Sequence, residues 1–223
     1  MTETVISVQG QHTAWYTAER ASVVVSISFD GPQRNPVFVS ATAAVDAVRE
    51  TVLSRFDKNT GPITWWSADT VRVWSERPWN NEGKQLDLVH HAALDLTAKF
   101  NDFEALAAWI ELVVAIPGAN ISGIEWSLTD ASRTSATTEV RSRAVKDAVA
   151  KASVYAQSIG LGSVTATAIA DPGMLGNGGS SGPIAMDRMM MKSSFAPDGA
   201  GALDLKPEQI EISAAVDARF VAE

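Results

Sequence analysis

Two adjacent histidines on a predicted strand are the first residues whose type could do chemistry. His90 and His91 lie within the strand pattern Lys84–Lys99. Neighbouring residues of a strand point to opposite faces of the sheet, so the two imidazoles cannot bind one metal ion together. His90 falls on the apolar face, where a hydrogen-bonded core histidine is the favoured interpretation. The sequence therefore predicts no metal site, and no other cofactor is expected.

Acidic residues share the other face of this strand with His91. Asp87, His91 and Asp95 follow one another at steps of four residues, which separates successive side chains by roughly 13 Å along a strand. These three residues cannot form a catalytic triad by themselves. A residue of the neighbouring strand, such as Glu76, could meet one of them, but a solvated charged face is the favoured interpretation.

Tryptophan is unusually frequent, with seven copies in the chain. Four of them crowd one predicted hairpin together with two arginines; the candidate residues are Trp65, Trp66, Trp74, Trp79, Arg72 and Arg77. Trp and Arg are favoured at subunit interfaces, and exposed rings can also form a platform for a sugar or a peptide. A third interpretation is that the rings cover the core. Since Trp65 and Trp66 are adjacent, one of them should point away from it.

A long segment rich in Gly, Ser and Met, residues 172–201, is the second candidate for an interaction. Its glycine run Gly176–Gly182 lacks the Gly-Lys-Ser/Thr ending of a phosphate-binding loop, so nucleotide binding is not predicted. Clustered thioethers can bind Cu(I) or form an adaptable apolar surface; the methionines are Met186, Met189, Met190 and Met191. The preferred hypothesis is that the segment docks on a neighbouring subunit or partner, with disorder as the alternative.

The composition limits the classes of function. The chain has 223 residues, a hydrophobic fraction of 46% and a formal net charge of −8. No basic patch offsets this charge, so nucleic acid is not an expected partner. The absence of cysteine excludes disulfides, thiolate nucleophiles and Fe–S clusters. The longest apolar stretch, Leu106–Ile116, is too short to span a bilayer, and the N-terminus has no signal-peptide pattern, so a cytoplasmic protein is expected.

The elements that must position these residues follow from hydrophobic periodicity. The predicted order is β-β-α-β-β-α-β-α-β-β, in which the strands Ile63–Arg77 and Lys84–Lys99 form the tryptophan-rich hairpin. The third helix should end near Ile159, before Gly160. Its inward stripe is predicted as Val145, Ala148, Ala152, Tyr155 and Ile159. The fold class is α+β, a mainly antiparallel sheet with three helices packed on it, in a single domain of residues 1–223. A βαββ unit could be present twice.

Segments spread along the chain resemble the SIMPL-domain family, a bacterial family with a domain of unknown function. They are the opening strands, with Ile6-Ser-Val8-Gln-Gly10 and Ala21-Ser-Val-Val-Val, the strand within 121–130, the alanine-rich helix within 143–160, and the closing strand within 207–216. Members of the family are often exported, and some form ring-shaped homo-oligomers. The resemblance therefore implies a homo-oligomer, and it provides no catalytic residues to carry over.

The favoured hypothesis is a non-enzymatic protein that self-associates through its tryptophan-rich hairpin and its methionine-rich segment. Its role would be scaffolding or stress-related. The alternative is a binding module for a small or sugar-like ligand that uses the same tryptophans. A hydrolase built around His91 or the acidic face ranks last, because no complete catalytic constellation is recognised.

Overall fold

The structure is a computed structural model in which residues 3–175 and 205–223 are described. The predicted class is confirmed: three helices pack on antiparallel sheets, and the elements follow in the predicted order, with Ile63–Arg77 divided into two strands. The elements are β1 (Thr4–Thr17), β2 (Arg20–Gly31), α1 (Arg34–Leu53), β3 (Ile63–Ala68), β4 (Arg72–Glu76), β5 (Val89–Phe100), α2 (Phe103–Val114), β6 (Ala119–Ser127), α3 (Asp130–Ser158), β7 (Val164–Ala170) and β8 (Gln209–Ala222).

Contacts between residues divide the described chain into two compact units. Unit 1 holds residues 3–17, 128–175 and 209–223, and unit 2 holds residues 18–127 and 205–208. Each unit has a sheet and a hydrophobic core of its own. Of the two expected βαββ runs, β2–α1–β3–β5 lies in unit 2, whereas β6–α3–β7–β8 is divided between the units. The single domain of residues 1–223 stays a prediction.

Unit 1 packs α3 on a three-stranded antiparallel sheet with the strand order β1-β8-β7. The buried stripe of α3 is nearly all alanine; its members are Ala136, Val140, Ala144, Ala148, Ala152 and Ala156. Small side chains let the helix approach the sheet closely, and Gly10 of β1 lies at the closest point. A Cβ atom on Gly10 would overlap the carbonyl oxygen of Ala144 and lie 2.6 Å from the nitrogen of Ala148.

Side chains of α3 also bind the edge of β1 that lies away from β8. The Asp147 carboxylate accepts a hydrogen bond of 2.8 Å from the backbone N–H of Gln11, and Lys151 Nζ donates one of 3.0 Å to the carbonyl oxygen of Gln9. Asp147 and Lys151 also form an ion pair of 2.7 Å with each other. Unpaired backbone groups on an edge strand invite pairing with another chain. The two side chains therefore protect the middle of this edge.

Unit 2 has a five-stranded sheet with the order β3-β5-β2-β6, and β4 pairs with β5 beyond the end of β3. Helices α1 and α2 cover one face, over a core that includes Val23, Val25, Leu94 and Leu96. The two helices are joined by a hydrogen bond of 2.9 Å from Trp109 Nε1 to the hydroxyl of Thr51.

Replacement of Gly10 by alanine should destabilise the protein, because the new methyl group overlaps the backbone of α3. We expect a loss of about 1–3 kcal/mol in the free energy of unfolding, as for other overpacked sites, measured by urea denaturation. Gly123→Ala is the matched control, since a Cβ atom there meets nothing within 4 Å. Equal midpoints for the two variants would contradict the close packing.

Replacement of Asp147 by asparagine should give a pH-dependent loss of stability. The hydrogen bond from Lys151, followed by that from the N–H of Gln11, lowers the pKa of Asp147. A lowered folded-state pKa gives stabilisation that is present above the unfolded pKa, about 3.9, and is lost as the pH falls further. Because the carboxylate is partly exposed, we expect Asp147→Asn to cost at most about 1 kcal/mol at pH 7. The difference from the wild type should shrink below about pH 4, and a difference independent of pH would argue against this role.

Candidate functional site

Among the described residues of unit 2, no helix lies on the face of the sheet opposite α1 and α2. We call it the open face. Its position follows from the register of β5: even-numbered residues from Ala92 to Phe100 are buried, and odd-numbered residues point the other way. The residues that define the open face here are Ser26, Trp65, Arg72, Trp74, Glu76, His91, Asp95, Lys99 and Ser122.

Trp65 and Trp66 lie on opposite faces, as their adjacency predicts. Trp65 pairs across the ladder with Lys99, whose ammonium lies 5.4 Å from the centre of the indole ring, and Trp65 remains 47% exposed. Trp66 pairs with Ala98 on the core side and packs against the buried cluster. Trp65 is thus available to a partner, whereas Trp66 is partly buried and packs against the core.

Trp74 covers His91 near the other end of the open face. The two rings stack with their centroids 5.1 Å apart and an angle of 17° between their planes. Glu76 meets His91 as the sequence suggested, with 3.5 Å between Oε1 and Nε2. This distance allows an ion pair. The Nε2 atom itself is buried and has no hydrogen-bond partner among the described residues. His90, on the opposite face, shares a hydrogen bond of 2.6 Å with the hydroxyl of Ser75.

A chain of polar contacts occupies the middle of the open face. Ser26 donates a hydrogen bond of 2.5 Å to Asp95, and its hydroxyl also lies 2.5 Å from that of Ser122. Arg72 lies 3.5 Å from the second oxygen of Asp95. Ser122 reaches this face because a β-bulge of β6 inserts one residue opposite Val24 and Val25. No imidazole takes part in this chain, and the only carboxylate in it is that of Asp95.

The two exposed tryptophans of the open face lie far apart. Trp65 is opposite Lys99 and Trp74 is opposite His91. These partners are eight residues apart on one strand, which corresponds to roughly 27 Å. A single small molecule therefore cannot stack on both rings.

The other predicted site residues do not join the open face. Trp79 and Arg77 lie in the connection between β4 and β5, where Trp79 is 67% exposed. Met186, Met189, Met190 and Met191 lie outside the described residues. So does the glycine run Gly176–Gly182, whose last five letters match the Gly-x-Ser-x-Gly pattern of a nucleophile elbow. A five-letter match of this kind does not by itself indicate a catalytic serine.

A family model described as "Protein of unknown function (DUF541)", the SIMPL family, matches residues 6–220. The chain belongs to the SIMPL family. The match spans both units. It includes the opening strand from Ile6 and the closing strand within 207–216, so the sequence-based recognition is confirmed.

Other comparisons add little to this assignment of the SIMPL protein. No curated protein matches it. Among solved structures, an amidase of the hydantoinase/carbamoylase family from Burkholderia multivorans aligns with 60% of this chain at 17% identity and a TM-score of 0.24. The aligned part spans 32% of that amidase.

Two further findings concern the described part of the SIMPL protein. Its helices are either too short or too polar to cross a bilayer. Nowhere in the same residues do three or more His, Asp or Glu side chains come together as a metal ion would require.

Substitutions of the two adjacent tryptophans should differ in their effect on the free energy of unfolding. Trp66→Ala removes an indole that packs on the core, so we expect the free energy of unfolding to fall by about 2–4 kcal/mol. Trp65→Ala removes a half-exposed ring and should cost less than about 1 kcal/mol. Thermal or urea denaturation measures both, and a larger loss for Trp65→Ala would contradict the register of β3.

Proposed function

We propose that this SIMPL protein is a non-enzymatic subunit that self-associates through the open face and serves as a scaffold. The observation that carries the proposal is the exposure of Trp65 and Trp74, at 47% and 46%, on one sheet face. Large aromatic rings lose little conformational entropy on binding and dominate the energetics of many interfaces. A single partner that covers this sheet face would remove both rings from water.

The size of the open face supports a macromolecular partner rather than a small one. Its two rings are separated by roughly 27 Å along β5. A standard protein interface buries about 800 Å² on each partner, which is a patch of about this width. The distance argues against one small or sugar-like ligand that uses both tryptophans.

The charges of the open face suit a second copy of the chain. Arg72 and Lys99 are balanced by Glu76 and Asp95 among the residues that define the face, although the whole chain carries a net charge of −8. A two-fold interface brings the same patch of both subunits together, so a patch with both signs of charge can complement itself. The polar chain through Ser26 and Asp95 would then lie inside the interface with its hydrogen bonds already made.

The arrangement of polar groups supports a role without catalysis. Asp95 is already bound by Ser26 and Arg72, and the imidazole of His91 lies under Trp74 beside Glu76. None of these contacts joins a nucleophile, a base and a group that orients the base, which is the minimal arrangement for hydrolysis by an activated hydroxyl.

Light scattering coupled to size exclusion tests the proposal. We expect a defined multimer for the wild type, and a lower mass for the double variant Trp65→Ser/Trp74→Ser. Loss of one interfacial tryptophan commonly weakens an interface by about 2 kcal/mol or more. The control is Trp15→Ser, which removes a still more exposed indole, 58% exposed, from unit 1. Circular dichroism should show an unchanged fold for all variants.

A wild type that is monomeric at micromolar concentration would overturn self-association. The same would follow if Trp15→Ser lowered the mass as much as the double variant. A monomer whose tryptophan fluorescence changes with a soluble oligosaccharide, and not when Trp65 and Trp74 are replaced, would support the ligand-binding alternative instead.

A further inference from the structure

A groove lies on the α1 side of the unit 2 sheet, between that helix and the interruption that separates β3 from β4. We call it the α1 groove. Its lining includes Val45, Arg49, Trp66, Asp69, Val71 and Leu94, and its volume is about 490 Å³. Ligand pockets of proteins commonly fall between about 300 and 1,000 Å³. The groove is therefore large enough for a molecule of the size of an amino acid.

The floor of the α1 groove is part of the hydrophobic core of unit 2. Leu94 belongs to the buried cluster, and Val45, Trp66 and Val71 are partly buried and pack against that cluster. The strand interruption borders this part of the core, because residues 69–71 are not paired in the ladder with β5. An apolar group that entered the groove would complete the packing of these side chains and displace water from them.

Two opposite charges line the same groove. Within the part of the chain that the structure describes, neither the Arg49 guanidinium nor the Asp69 carboxylate has an ion pair or a hydrogen bond. The backbone of Asp69 is held in place, because its N–H donates a hydrogen bond of 2.9 Å to the carbonyl oxygen of Asp95. The groove thus offers an unused cation and an unused anion beside an apolar floor.

We propose that the α1 groove binds a small zwitterion with an apolar side chain, such as a free α-amino acid. The Arg49 guanidinium would hold the carboxylate by two parallel hydrogen bonds, and Asp69 would accept hydrogen bonds from the ammonium group. The apolar side chain would lie against Trp66 and Val71. A ligand with only one of the two charges would leave the other protein charge without a partner and would bind less well. The site is separate from the open face, because none of the six lining residues of the α1 groove named above belongs to that face.

The test is an NMR titration of the full chain labelled with ¹⁵N, observed at the indole N–H of Trp66. L-leucine is the probe, and 4-methylpentanoate and 3-methylbutylamine are its analogues without the ammonium and without the carboxylate. We expect saturable binding of leucine in the millimolar range, as for other ligands of this size, and affinities about tenfold weaker for each analogue.

Substitutions of Arg49 and Asp69 test which protein charge binds which charge of the ligand. Arg49→Gln and Asp69→Asn should each weaken leucine binding about tenfold. Glu50→Gln, a neighbouring residue of α1 that does not line the groove, and Trp74→Ser on the open face should both leave it unchanged. The proposal is overturned if leucine and both analogues shift the Trp66 signal equally, if no saturation is reached, or if Glu50→Gln weakens binding as much as Arg49→Gln. None of these outcomes depends on native mass. A failure of leucine binding therefore does not contradict self-association, and a monomeric wild type does not contradict leucine binding.

Discussion

Unit 2 depends on the strict alternation of β5. This strand pairs with β2 along its length on one side, and with β3 and then β4 on the other. Each residue of the neighbouring strands therefore takes its face from the register with β5. Burial of Leu94, Leu96 and Ala98 under α1 and α2 leaves the odd-numbered residues on the other face. The open face is thus the direct consequence of how the core is built.

Three local irregularities decide which side chains of the neighbouring strands reach the open face. A bulge before Trp65 moves that ring to the face of Lys99, although Ile63 two residues earlier is fully buried. A second bulge in β6 places Ser122 beside Ser26. The third is the interruption between β3 and β4. Bulges re-aim side chains without a change in the partner strand, so the alternation of β5 stays intact while its neighbours change face.

Much of this architecture was predictable from periodicity. The alternation of β5, the separation of Trp65 from Trp66 and the glycine end of α3 at Gly160 follow from spacing and residue type. The inward stripe of α3 was wrong in part, because Tyr155 and Ile159 are 55% and 61% exposed. Gly10 and the alanines set a helix–sheet distance that bulky residues do not fit, and periodicity carries no information on that distance. Gly10 likewise allows close packing in the middle of β1, which continues to Thr17.

The interruption at residues 69–71 shows most clearly why the candidate sites were not predictable. An unbroken strand over Ile63–Arg77 would alternate regularly and place Trp65 and Trp74 on opposite faces. From Ala68 to Arg72 the chain advances four residues while β5 advances three, from Leu96 to Ala93. This one additional residue brings Trp74 and Arg72 to the open face.

The same interruption borders the floor of the α1 groove, which Asp69 and Val71 help to line. One extra residue therefore turns Arg72 and Trp74 to the open face and also lies beside the α1 groove. Its effect lies in the pairing with β5, so residue types along the strand give no sign of it.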